Sequence, residues 1–146
     1  MRIVGHGIDI IECSRVAAVY ERHAERFLDR LLTPGEREYV MKRRSIIPHL
    51  AGRFAAKEAI LKVLGTGWRG AIAWRDMEIV NEPSGEPRVT LRGECERIAR
   101  DRRITRILVS ITHTPAYAAA SAIGVEERLD AAREPLGARP SSSVIF

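Results

Sequence analysis

The stretch Arg53 to Gly67, RFAAKEAILKVLGTG, decides how the rest of the chain is read. At about 100° per residue, Leu50, Phe54, Leu61 and Leu64 share one face of a helix, while Ala51, Ala55, Ala59 and Val63 line much of another. A helix apolar on nearly every side belongs inside a core. Lys57, Glu58 and Lys62 stand in it all the same, and charges in such a place need partners. Glu58 and Lys62 are one turn apart, so an intrahelical ion pair worth about 0.2–0.5 kcal/mol accounts for them as readily as a functional site does. Gly65-Thr66-Gly67 reads as the helix stop. The loop lacks the Gly-Lys-Ser/Thr ending of a P-loop, so a nucleotide-hydrolase reading is weak.

N-terminal to this helix, Arg2 to Ile11 combines β-branched residues with Gly5 and Gly7, the pattern of a strand that something approaches closely. The strand carries Asp9 directly after the Gly-His-Gly-Ile run. From Arg15 to Leu32, two short helical stretches turn Val16, Val19, Tyr20, Phe27, Leu28 and Leu31 inward and Arg15, Arg22, Arg26 and Arg30 outward. Thr33-Pro34-Gly35-Glu36 is a helix start, with a Thr cap, Pro at the first position and Glu three residues after the cap. That helix is expected to end before Pro48. Beyond the apolar helix the period changes. Trp74–Val80 and Pro87–Leu91 predict a hairpin, Gly93–Arg102 a basic helix, and Ile104–Thr112 and Tyr117–Val125 two further strands around His113-Thr114-Pro115. The class is α+β, an antiparallel sheet packed with helices.

Length and charge bound the function. The 146 residues, 45% of them hydrophobic, suffice for one core, so a single domain over residues 1–125 is expected, followed by a tail at 126–146 that has lost periodicity and reads as partly disordered. A net charge of +5 favours acidic or phosphate-rich partners without saying which. Two cysteines, no signal peptide and no run of roughly 20 apolar residues point to a soluble, cytoplasmic protein with reduced thiols. No Ser or Cys nucleophile motif is present, so in a transferase the attacking group would belong to the substrate. Asp9 and Glu58 could together hold a hard cation such as Mg²⁺, with phosphates and water completing its shell.

Three segments, GIDIIECSRV, LAGRFAAKEAILKVLGTG and VSITHTPAYAAA, resemble in order and spacing the signature segments of the holo-acyl-carrier-protein synthases. These are the short, trimeric bacterial group within the 4′-phosphopantetheinyl transferases, and the resemblance spans Ile3 to about Val125. It implies transfer of the 4′-phosphopantetheine arm of coenzyme A to a serine of apo acyl carrier protein, releasing adenosine 3′,5′-bisphosphate, in support of fatty acid biosynthesis. It implies Asp9 and Glu58 as magnesium ligands and Lys62 as the cation beside the leaving phosphate, all three counted as catalytic. Arg53, Lys57, Lys62, Gly65, Thr112 and His113 are the implied coenzyme-binding residues, the last two from a neighbouring subunit. Whether Glu58 or a metal-bound water takes the serine proton stays open. Arg15, Arg22, Arg26 and Arg30, with Phe27 among them, match positions that contact the acidic carrier protein. The family implies a homotrimer with active sites between subunits.

Two other readings compete. A nucleic-acid-binding module would explain the basic charge, but only Trp68 and Trp74 stand near basic residues outside the helices. A coenzyme A binding protein without transferase activity would not need Asp9, Glu58 and Lys62 together.

Overall fold

The computed structural model describes residues 1–128. Its elements run β1 (Arg2–Glu12), α1 (Cys13–Leu31), α2 (Pro34–Met41), α3 (Ile46–Leu64), a 3-10 turn at Trp74–Asp76, β2 (Met77–Asn81), β3 (Pro87–Leu91), α4 (Gly93–Asp101), β4 (Arg106–His113) and β5 (Tyr117–Glu126). Strand β5 lies between β1 and β4 in an antiparallel sheet, and β2 and β3 form a separate hairpin. The architecture is the expected α+β one.

Helix α3 packs across the inner face of the three-stranded sheet, and small residues bring it close. Ala118, Ala120, Ala122 and Gly124 of β5 are buried on that side. At Gly7 the strand all but touches the helix backbone: a Cβ there would stand 2.0 Å from the Ala59 carbonyl oxygen. No residue other than glycine fits that contact without moving the helix. The opposite side of α3 receives α1 and α2 through Leu28, Leu31, Leu32, Val40, Leu50 and Ala51, all buried. With neighbours on both sides, the helix is apolar nearly all round for the reason its sequence suggested.

The outer face of the sheet is different. Ile8 and Ile10 of β1 are 61% and 66% exposed. Through their register with Ser121 and Ala119 of β5 they align with Ser110 and Thr112 of β4.

Four local features depart from the sequence expectation. Helix α1 is one element kinked at His23 (φ −140°, ψ 39°), which joins the two short stretches end to end. Helix α2 ends before Pro48 as expected, at Met41, but Pro48 falls inside the next helix, in the first turn of α3, where its missing N–H leaves no helical hydrogen bond unmade. Strand β2 starts at Met77 because Asp76 accepts from the Ala73 N–H at 3.0 Å and holds Trp74–Asp76 in a turn. Strand β5 continues to Glu126, paired with Arg2, one residue past the expected Val125. Of the tail expected from residue 126, residues 129–146 lie outside the described residues.

The capping box at the start of α2 is present. Thr33 Oγ1 accepts from the Glu36 N–H at 3.3 Å and Glu36 Oε1 accepts from the Thr33 N–H at 2.9 Å.

Candidate active site

Strand β1 and helix α3 each contribute to one cluster. The seam at Gly7 and Ala59 sets their spacing, and the next inward residue of β1 is Asp9. Across from it, Lys62 of α3 places its ammonium 3.6 Å from Asp9 Oδ1 and donates to the Ile8 carbonyl at 2.6 Å. Glu58 occupies the preceding turn of α3, one turn from Lys62 on the same helix.

The intrahelical Glu58–Lys62 pair is not formed. Lys62 is directed to Asp9, and Glu58 Oε1 instead accepts from the Trp68 indole N–H at 3.1 Å. The Trp68 ring lies 4.1 Å from that of Trp74, which lies 5.0 Å from Phe54, one turn before Glu58 on the same helix. Sequence reasoning missed this closed path. Its signal was the pair of tryptophans flanking the loop after α3.

Lys57 requires a correction. It is fully buried and cannot meet a ligand, because its ammonium donates to Glu36 Oε1 at 2.7 Å, the Leu31 carbonyl at 2.6 Å and the Trp74 carbonyl at 3.2 Å. Three donors meet three internal acceptors. Burial draws the Lys57 ammonium below the ordinary lysine range, and the charge of Glu36 opposes that pull. Glu36 also accepts from the Ile79 N–H through Oε2 at 3.1 Å, so a helix-capping carboxylate doubles as the counter-ion of a core lysine.

Arg53 is buried too. It donates to Asn81 Oδ1 at 2.7 Å and lies over the Tyr39 ring, with its carbon 4.8 Å from the ring centre, while its Nε has no partner among the described residues. Gly65 ends α3 in the left-handed conformation (φ 75°), and the space beside it is filled by Arg102, which donates to the Val63 carbonyl at 2.6 Å.

His113 and Thr112 are exposed at the end of β4. His113 meets His49 edge to face, 5.1 Å between ring centres, and Tyr39 meets His49 from another side at 6.3 Å. Burial, then His113, Arg43 and Arg53, hold His49 below the usual imidazole range. His49 stands in the first turn of α3, so along the axis it is about 14 Å from Glu58. Within one chain, the His113 region and the Asp9–Lys62 cluster therefore stand toward opposite ends of α3.

Arg15, Arg22, Arg26 and Arg30 are exposed, with Phe27 half-buried beneath them. Their acidic neighbours Glu25 and Asp29 are engaged by Arg37 of α2 at 2.7 and 2.9 Å. Among the described residues none of the four α1 arginines forms an ion pair, which leaves their charge open to a partner. On α4 the arginines are neutralised locally, Arg100 by Glu96 and Arg97 by Glu94 and Asp101. A cleft of about 680 Å³, lined by Arg30, Trp68, Ile72, Trp74 and Arg75, joins the end of the α1 basic face to the tryptophan beside Glu58.

Cys13 and Cys95 are free and buried, and burial pushes both thiols up, Cys95 to about 12. An Asp9–Lys62 cluster at the β1–α3 seam, a helix with an open basic face and buried thiols are what a transferase that draws its nucleophile from the substrate would show.

Comparison with known proteins narrows the class. Residues 5–120 match the family model described as the 4′-phosphopantetheinyl transferase superfamily. The chain is 41% identical over 121 residues to the holo-[acyl-carrier-protein] synthase of Koribacter versatilis, covering 83% of this chain and 97% of the relative. Among solved structures it is similar to the holo-[acyl-carrier-protein] synthase of Neisseria meningitidis (TM-score 0.77, 29% identity, 86% of this chain and 100% of that one). It is also similar to the Helicobacter pylori synthase in complex with coenzyme A (TM-score 0.73, 28% identity, 82% and 99%). The chain belongs to the 4′-phosphopantetheinyl transferase superfamily, in its holo-acyl-carrier-protein synthase group, and is an enzyme of that kind.

Proposed function

We propose that this enzyme moves the 4′-phosphopantetheine arm of coenzyme A to a serine of apo acyl carrier protein in a Mg²⁺-dependent reaction that serves fatty acid biosynthesis. The observation that carries the site assignment is the Asp9–Lys62 approach across the β1–α3 seam, with Glu58 one turn away. The serine oxygen forms a new bond to the phosphorus bearing the arm, the bond to adenosine 3′,5′-bisphosphate breaks, and the serine proton leaves to a base.

The donor set fits Mg²⁺. Among the described residues no three His, Cys, Asp or Glu side chains gather as a full metal cage, and Mg²⁺ binds through one or two carboxylates while keeping water and substrate phosphates. Asp9 and Glu58 would hold it, and when bound it supplies charge neutralisation on the diphosphate. Lys62 adds a point charge for the leaving phosphate. Glu58 also stands as a candidate acceptor for the serine proton, directly or through water.

The open charge of Arg15, Arg22, Arg26 and Arg30 suits a small acidic carrier, which such a surface steers and orients. The cleft between Arg30 and Trp68 offers a route from that surface to Glu58. Ile8 and Ile10, exposed on the outer sheet face among the described residues, suit burial against another copy, as the homotrimer of the family would provide. The separation of His113 from Lys62 along α3 supports a site completed by Thr112 and His113 of a second copy. Buried Arg53, with its Nε unpaired, remains a candidate for anchoring a coenzyme phosphate.

Weighing the carrier by mass spectrometry tests the reading. Purified enzyme, coenzyme A, Mg²⁺ and apo carrier protein from fatty acid synthesis should add the mass of one phosphopantetheine arm. An unchanged carrier rejects the transfer, and full conversion in excess EDTA rejects the metal.

A further inference from the structure

Trp68 belongs to none of the roles assigned so far, yet it touches the central carboxylate. It follows the left-handed Gly67 (φ 59°), and a Cβ on Gly67 would meet nothing within 4 Å, so the loop reaches Glu58 without packing support at that point. The support comes from the other direction. Trp68 rests on Trp74, Trp74 rests on Phe54, and the Trp74 carbonyl accepts from the buried Lys57. The indole N–H is thus presented to Glu58 Oε1 from an anchored stack, and it is the only hydrogen-bond partner of the Glu58 carboxylate among the described residues.

We propose that Trp68 is a positioning residue of the transfer site, its indole N–H fixing the Glu58 carboxylate for the cation. The inference rests on the reading of Glu58 as a metal ligand. Ligating carboxylates are oriented by hydrogen bonds from behind, and losing such a partner costs about 10–100-fold in metal affinity. An indole suits the task because it donates once, accepts nothing and carries no charge that would compete with the metal. Because the indole N–H engages Glu58 Oε1, the second carboxylate oxygen of Glu58 is left without a protein hydrogen bond among the described residues.

The test is Mg²⁺ binding to the full chain with coenzyme A present, followed by calorimetry, together with unfolding curves. Trp68→Phe keeps the stacked ring and removes the N–H. Its Mg²⁺ affinity should fall about tenfold with the unfolding midpoint unchanged, and Trp68→Ala should fall at least as far. In Trp74→Phe, where Trp68 is the single remaining indole, emission should respond to Mg²⁺, and Glu58→Gln in that background should abolish the response. If Trp68→Phe binds Mg²⁺ like the parent while Glu58→Gln does not, Glu58 stands as a ligand and the positioning role is overturned. If Glu58→Gln binds Mg²⁺ normally, the ligand assignment has failed and the positioning role falls with it.

Discussion

Lys57 and Lys62 leave the same helix little more than one turn apart and end in opposite circumstances. Lys57 is sealed in the core, its three donors matched to Glu36, Leu31 and Trp74. Lys62 keeps about half of its side chain in solvent and leans over the β1 seam to Asp9. The first lysine ties together three pieces of chain, the end of α1, the start of α2 and the 3-10 turn. The second has a single backbone acceptor and one distant carboxylate, so its ammonium retains donors for something else. The difference shows that a charge on an apolar helix is sealed in or left available according to what the neighbouring elements bring to it.

Replacing each lysine by Met should separate the two cases. Lys57→Met leaves Glu36 buried beside an apolar side chain, and breaking a buried pair in this way costs about 3–5 kcal/mol. Urea unfolding would read that loss, and a variant as stable as the parent would show that the buried pair is not what holds the three elements. Lys62→Met should change stability by no more than about 0.5 kcal/mol. It should lower kcat by about 100-fold, the usual effect of losing a group that stabilises transition-state charge. Transfer at the parent rate would remove Lys62 from the reaction.

His49, at the start of the same helix, lies between these extremes and offers the smallest effect. Its imidazole is half-buried against His113 with Arg43 and Arg53 nearby, and its folded value lies below the ordinary 6.5. The unfolded chain therefore binds this proton more readily than the folded one, so stability is lost as pH falls below about 6.5 and is unaffected well above it. His49→Asn should flatten the decline in stability just below pH 6.5 relative to the parent. Parallel curves for the two proteins would show that His49 does not contribute to acid sensitivity.

Much of the fold was legible because the local patterns agreed with one another. The period change after Gly67, the capping box at Thr33 and the alternation from Pro87 to Leu91 all appear as elements within a few residues of their expected limits. The boundaries that moved did so for tertiary reasons, such as the Asp76 side chain that delays β2. The site was legible in part. Resemblance supplied Asp9, Glu58 and Lys62, and the structure brings Lys62 to Asp9. Lys57 was misread because its partner is a capping glutamate from another helix, and periodicity does not say which carboxylate a lysine will meet. The link from Trp68 to Glu58 is hidden for the same reason: the hydrogen bond is held by two aromatic contacts that close only in three dimensions.

The contact between Gly7 and Ala59 also bears on when the molecule becomes competent. It joins backbone segments separated by much of the chain, and such long-range pairings are made late because loop closure precedes any gain from contact. Neither helix α3 alone nor the strand alone presents Asp9 beside Lys62. A newly made chain with its helices formed but its seam still open keeps Asp9 and Lys62 apart. The Asp9–Lys62 approach is thus a mark of completed folding, made only once the first strand has found its place.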